Sequence, residues 1–422
     1  MTRRTVLQCL TLAPLAAAPP APAAYLAKLD ANLRKNIVPF WYPATLDRVN
    51  GGYVINHDAS GKANPAGSKG IVTQSRQLWL FSRLARAGYD PKPMLEAADH
   101  GFAFLRDKMW DHKNGGFYWE VDATGTKVIL PGKHMYGESF GLYGLSEYAR
   151  ASKNKAALDL ANELFTLFDR YSYDPQFGGY RESFTPDWRL QPGVAGYMQV
   201  PADMKLMNTH LHLLESVTAY YHAAESRVAR ERLSELVSIE SNAVVRKKLT
   251  ACTDKYDRNW TPRLDEAAHW NRVSYGHDLE NVWLLADACR ALDSSPYPLV
   301  DLFRDLWAYS LQYGYDADRG GFWNSGPFNA PSDDRMKVWW VQAEAITSAL
   351  YMYRLTGEEK YWDVFAKTYD FIDKYQTDWK NGEWFEMITA DGQPKGGKAH
   401  IWKAGYHNGR AMIECLGILR EM

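Results

Sequence analysis

Apolar residues along this chain recur mostly at three- and four-residue spacing, the rhythm of helices with one buried face. Lys92 to Trp110, Lys155 to Tyr171 and Glu359 to Tyr375 show it plainly. Between such stretches lies a repeated turn: an aspartate, three residues, Gly-Gly and an aromatic. It occurs as Asp47 with Gly51-Gly52-Tyr53 and as Asp111 with Gly115-Gly116-Phe117. It returns as Asp174 with Gly178-Gly179-Tyr180 and as Asp316 with Gly320-Gly321-Phe322. Asp378, Gly382, Glu383 and Trp384 make a degenerate fifth copy. Gly-Gly after Asp is turn chemistry, and the aromatic that follows opens a short strand. The aspartates stand 64, 63, 142 and 62 residues apart, so the double interval hides an eroded sixth copy, expected around Tyr256-Asp257-Arg258.

A second marker gives the same count. Lys69, Lys133, Lys205, Arg272, Lys337 and Lys403 each open a further helix-like run. Six units of about 65 residues follow, each an outer helix, a hairpin and an inner helix. The fold this predicts is all-α: an (α/α)6 barrel of twelve helices with short β-hairpins between helix pairs. No Pro/Gly/Ser-rich linker divides residues 25–422, so they form a single domain.

The N-terminus, MTRRTVLQCLTLAPLAAAPPAPAA, reads as an export signal. The stretch from Val6 to Ala18 is too short to span a bilayer. Arg3-Arg4 ahead of it resembles a twin-arginine signal, and Ala21-Pro22-Ala23 offers a cleavage site. Residues 1–24 are thus expected to be removed and the mature chain to be periplasmic or secreted. Cys252, Cys289 and Cys415 then remain, with no metal-like spacing and no disulfide framework. A net charge of -1 gives no electrostatic reason to expect nucleic acid or an anionic membrane as partner. The 16 Trp and 26 Tyr suit sugars, since each offers a flat apolar face and a polar edge. A small sugar is the expected partner of a chain acting as a monomer.

The candidate chemistry sits where the inner helices begin. In DMKLMNTHLHLLES, Asn208, His212 and Glu215 share one helical face. His210 lies about 200° round from His212, so the pair cannot chelate one ion, and His210 is expected to make a structural hydrogen bond. Lys69, Thr73 and Arg76 share a face, as do His277 and Glu280, and Trp340 and Glu344. Lys403, His407, Arg410 and Glu414 form one stripe. Each set alone reads as an internal salt bridge. At equivalent points of a closed six-fold repeat they converge on one pocket, and burying that much polarity without purpose is costly.

NTHLHLLE (208–215), SYGHDLENVWLL (274–285), KVWWVQAEA (337–345) and WKAGYHNGRA (402–411) together resemble the signature segments of cellobiose 2-epimerases, within the N-acylglucosamine 2-epimerase group of (α/α)6 barrels. The likeness covers the whole chain after the signal and departs at Ala404-Gly405, where the family commonly has Cys-Pro. It implies epimerisation at C2 of a reducing-end sugar through an enediolate, with no metal or other cofactor. By the same likeness His277 and His407 are the acid/base pair, His212 assists ring opening, Arg76 stabilises the enediolate, and Glu280 holds His277 or a hydroxyl. Trp340 and Trp402 would stack on sugar rings, with Tyr136, Asn208 and Glu344 also binding substrate. Alternatives are an N-acylglucosamine epimerase or a mannose-type aldose–ketose isomerase. More distant are a glycoside hydrolase using Glu215, Glu280 or Glu344 and a non-catalytic sugar-binding protein.

Overall fold

The computed structural model describes residues 22–265 and 270–422. The expected signal, 1–24, therefore lies almost wholly outside the described residues. In chain order the helices are α1 (Pro22–Asn32), α2 (Val38–Trp41), α3 (Ile71–Arg86), α4 (Pro91–Phe104), α5 (Met135–Ser152) and α6 (Lys155–Tyr171). There follow α7 (Met207–Ala224), α8 (Arg227–Ser238), α9 (Tyr275–Ala291), α10 (Val300–Gly314), α11 (Trp339–Thr356), α12 (Glu359–Phe371) and α13 (Tyr406–Glu421). One π-helical turn, Leu33–Ile37, joins α1 to α2, so the described residues form twelve helical rods.

Six of these, α3, α5, α7, α9, α11 and α13, each pack on the next, and α13 returns to α3. The other six lie outside them: α4 on α3 and α5, α6 on α5 and α7, α8 on α7 and α9, α10 on α9, α12 on α11, and α1 on α13. The two sets differ in sequence for a physical reason. α5 is buried on every side from Met135 to Ala149, as an enclosed helix must be. α6 buries only Ala157, Ala161, Leu164, Phe165 and Phe168, one stripe at helical spacing, and Asn154 caps its start by accepting the Ala157 amide.

Five hairpins carry the repeated turn, closed by pairs such as Trp110 with Phe117 and Tyr315 with Phe322. In the second, Asp111 accepts the amides of Lys113 and Asn114. Gly115 and Gly116 follow at φ 72° and 75°, the left-handed region that two consecutive side chains would strain. Four of the five hairpins are bolted to an inner helix twice. A buried lysine reaches the turn aspartate: Lys69 to Asp47, Lys133 to Asp111, Lys205 to Asp174 and Lys337 to Asp316, at 2.7–3.2 Å. A side chain three residues into the helix then accepts the amide of the hairpin's second strand. Gln74 does so for Tyr53, Glu138 for Phe117, His210 for Tyr180 and Gln342 for Phe322.

One expectation needs correction. The eroded hairpin is Val245–Arg246 paired with Ala251–Cys252, not the segment around Asp257. Arg246 occupies the place of the turn aspartate, and Val273, two residues before α9, the place of the lysine. Both halves of the buried pair are gone together, because either left alone would be an uncompensated buried charge. Arg272 accordingly pairs at the surface with Asp333. In the degenerate copy Asp378 is met by Lys398, while Lys403 bonds the buried Glu383.

Candidate active site

Two positions per inner helix turn toward the centre of the ring, the residue after the first and the one a full turn later. The first supplies Tyr136, Asn208, Trp340 and His407; the second supplies Arg76, His212 and Glu280. His277 joins them from the start of α9, and Trp402 from the loop ahead of α13. These nine line a cavity of about 190 Å³, together with Met198 and Trp339, which sequence reasoning did not select. Met198 comes from the long loop ahead of α7 and carries no local signal. Tyr197, beside it, packs on Trp119 and His134 and anchors that loop.

Other members of the sequence stripes go elsewhere. Lys69 pairs with the turn aspartate Asp47, and Thr73 bonds the Gly70 carbonyl. Glu414 pairs with Arg83 toward the opposite end of the ring, where a second cavity of about 180 Å³ is lined by paired charges such as Arg86 with Glu147. Glu344 does not reach the cavity wall but lies behind His407. The departure from the family pattern at Ala404-Gly405 has a steric basis: a Cβ on Gly405 would come within 2.6 Å of Trp41 and Leu80.

The three imidazoles are held differently. His407 Nδ1 bonds Glu344 at 2.7 Å, and His212 Nδ1 bonds Glu215 at 3.0 Å, leaving each Nε2 for the cavity. His277 packs on the Trp340 ring at 4.7 Å, with His407 on the same ring at 5.9 Å. Glu280 does not hold His277; its Oε1 accepts from Arg410 at 2.8 Å. Burial pulls His277 down to about 4, and His212 and His407 well below the usual imidazole range, with the Arg76 charge adding to the effect on the last two. All three rest neutral, the form that can take a proton. Burial and the neighbouring Glu344 push Glu280 well above the carboxylate range. Burial also pushes Glu344 up, to about 8, against donors from Trp283, Arg410 and His407 that favour its charged form.

Four buried polar atoms on the cavity wall have no partner among the described residues: Arg76 Nε, Asn208 Oδ1, Glu280 Oε2 and Trp339 Nε1. Buried polar groups are normally satisfied, so two donors, an acceptor and a carboxyl oxygen facing one space call for a ligand dense in hydroxyls. The remaining guanidinium nitrogens of Arg76 donate to the Trp402 carbonyl at 2.6 Å and the Tyr136 hydroxyl at 3.1 Å, which fixes its position. Among the described residues, one group is spaced like metal ligands, Glu280, Glu344 and His407. Arg410 Nη2 already lies 2.8 and 2.9 Å from the two carboxylates, so a cation occupies that position.

Comparison with known proteins gives the family. Residues 51–411 match the N-acylglucosamine 2-epimerase (GlcNAc 2-epimerase) family. The cellobiose 2-epimerase of Dictyoglomus turgidum is 30% identical over 91% of this chain and 96% of its own. The solved cellobiose 2-epimerase of Spirochaeta thermophila superposes with a TM-score of 0.85 at 32% identity, covering 95% of this chain and 98% of its own. A D-mannose isomerase of Thermobifida fusca is 26% identical over 89% of this chain and 90% of its own. The chain belongs to the N-acylglucosamine 2-epimerase family and is a carbohydrate epimerase, an isomerase.

Proposed function

We propose that this enzyme epimerises C2 of the reducing-end sugar of a β-1,4-linked disaccharide, interconverting cellobiose and glucosyl-mannose, on an (α/α)6 barrel. The observation that carries the reading is the meeting of three neutral imidazoles with four unpartnered polar atoms in one cavity. Relatives named cellobiose 2-epimerases, similar over nearly the whole chain, supply the substrate class.

His212, paired with Glu215, shuttles the proton that ring opening moves from the anomeric hydroxyl to the ring oxygen. One of His277 and His407 then takes the proton at C2, and an enediolate forms. Arg76, whose Nε is free, faces the developing charge; such a donor commonly contributes ~3 kcal/mol. After rotation about C2–C3 the other histidine, having taken a proton from solvent, returns it to the opposite face, while the first releases the C2 proton to solvent, so both end neutral. Glu280 meets a sugar hydroxyl with its unpartnered oxygen. Trp340 and Trp402 stack on the sugar rings, and Tyr136 and Asn208 hold hydroxyls. Glu344 acts through His407. No metal takes part, and EDTA should leave turnover unchanged.

The Thermobifida fusca relative favours a second reading, mannose–fructose isomerisation. The same enediolate yields a ketose when the proton returns to C1. Product analysis by NMR separates the two: cellobiose should give glucosyl-mannose and no free glucose, whereas a ketose as main product would replace the first reading by the second. Release of glucose would make the chain a hydrolase.

Export is proposed on the sequence of residues 1–24. Pro22, Ala23 and Ala24 are exposed, and Tyr25 is the first core residue among those described, so the described core begins after the proposed cleavage at Ala23. Replacing Arg3 and Arg4 with Lys should leave precursor in the cytoplasm; unchanged export would refute the twin-arginine route.

A further inference from the structure

We infer that Arg410 is a positioning residue that holds two of the histidines in register at once, through the carboxylates beneath them. The inference rests on the proposed reading of His212 and His407 as proton carriers. Arg410 is 2% exposed and does not line the sugar cavity; it forms the layer between that cavity and the one at the opposite end of the ring. Its Nη1 donates to Glu215 and to the Tyr406 hydroxyl, and Glu215 in turn bonds His212 Nδ1 at 3.0 Å. Its Nη2 donates to Glu344 at 2.9 Å and to Glu280 at 2.8 Å, and Glu344 bonds His407 Nδ1 at 2.7 Å. One planar fork thus ties α13 to α7, α9 and α11.

Only a rigid fork can serve carboxylates on two sides; a lysine would bring the charge without the geometry. The guanidinium is itself fixed by the faces of Tyr406 and Trp283, 4.3 and 4.6 Å away. The consequence is chemical as well as mechanical. Which imidazole nitrogen carries the proton is set by the partner of the other, and these partners are carboxylates that Arg410 orients. Without it, Glu215, Glu280 and Glu344 would each lose the guanidinium that orients them, and the two imidazoles held by Glu215 and Glu344 would lose their tautomer.

The test compares Arg410→Met and Arg410→Lys with the wild type, on whichever sugar the wild type converts. In Arg410→Met, kcat should fall ~100-fold, the lower end of what one proton transfer contributes, with KM within ~threefold. In Arg410→Lys about a tenth of the activity should remain, because charge without the fork restores part of the arrangement. Histidine ¹⁵N NMR of the free enzyme reads the position directly. The resonances that vanish in His212→Gln and His407→Gln should report protonated Nδ1 in the wild type and mixed tautomers in Arg410→Met. If the Met variant does not fold, the Lys variant alone decides, and unaltered kcat in it overturns the inference. So does a folded Met variant with kcat within ~threefold of wild type, a loss confined to KM, or unaltered tautomers. A wild type that converts no sugar would instead sink the proposed function, and the NMR comparison would still stand.

Discussion

His210 and His212 sit two residues apart on α7, both buried, and do unlike things. His210 Nε2 accepts the Tyr180 amide at 2.8 Å while its Nδ1 faces the Leu206 carbonyl at 2.7 Å, so the backbone satisfies both nitrogens. His212 bonds only another ionisable side chain, Glu215, and turns its other nitrogen to the cavity. The contrast extends round the ring. Gln74, Glu138 and Gln342, equivalent to His210, are satisfied by hairpin amides, whereas Arg76 and Glu280, equivalent to His212, keep an unpartnered atom on the cavity wall. Burial alone does not mark a site. What marks it is unsatisfied polarity from several helices converging on one cavity.

The comparison breaks most visibly at the cavity-facing histidines. His277→Ala or His407→Ala should lower kcat by ~10²–10⁴-fold each, with the fold kept by circular dichroism. Near-normal turnover in either would remove it from the acid/base pair. The pH profile comes next. Because His277 is depressed to about 4, its neutral form persists as pH falls, and kcat/KM should drop only below about pH 4. An acid limb near 6.5, the ordinary imidazole value, would mean the cavity is wetter than described.

Effects on the hairpin-facing set should appear in stability. Lys133→Met leaves Asp111 buried without its cation and should cost ~3–5 kcal/mol in chemical denaturation. Adding Asp111→Asn should recover part of this, as the natural loss of both partners in the sixth unit implies. His210→Ala should cost ~1–3 kcal/mol with turnover per folded molecule unchanged. Smallest of all, His210→Gln, copying Gln74 and Gln342, should stay within ~1 kcal/mol of wild type and fully active, whereas His212→Gln should not be active. A dead but well-folded His210→Gln would dissolve the distinction.

How much of this was legible in the sequence follows from how local each signal is. The Asp and Gly-Gly turns announce themselves, because φ near 70° at two successive residues excludes most side chains. The 200° offset of His210 from His212 sufficed to send one to the backbone and the other to the cavity. The sixth hairpin stayed hidden because Arg246 and Val273 replace both halves of its ion pair. Glu344 shares the face of Trp340, yet Trp283, Arg410 and His407 draw its carboxylate behind the wall, and partners from α9 and α13 leave no trace in the α11 sequence. Met198 and the hub role of Arg410 depend likewise on contacts far apart in the chain.

The central claim is that a histidine removes the proton at C2 and a proton returns to the other face. Cellobiose incubated with the enzyme in deuterium oxide should give glucosyl-mannose carrying deuterium at C2 of the reducing sugar, because an imidazole proton exchanges with solvent before it is returned. The epimer formed with no deuterium at C2, in a reaction run to near equilibrium, would contradict the account.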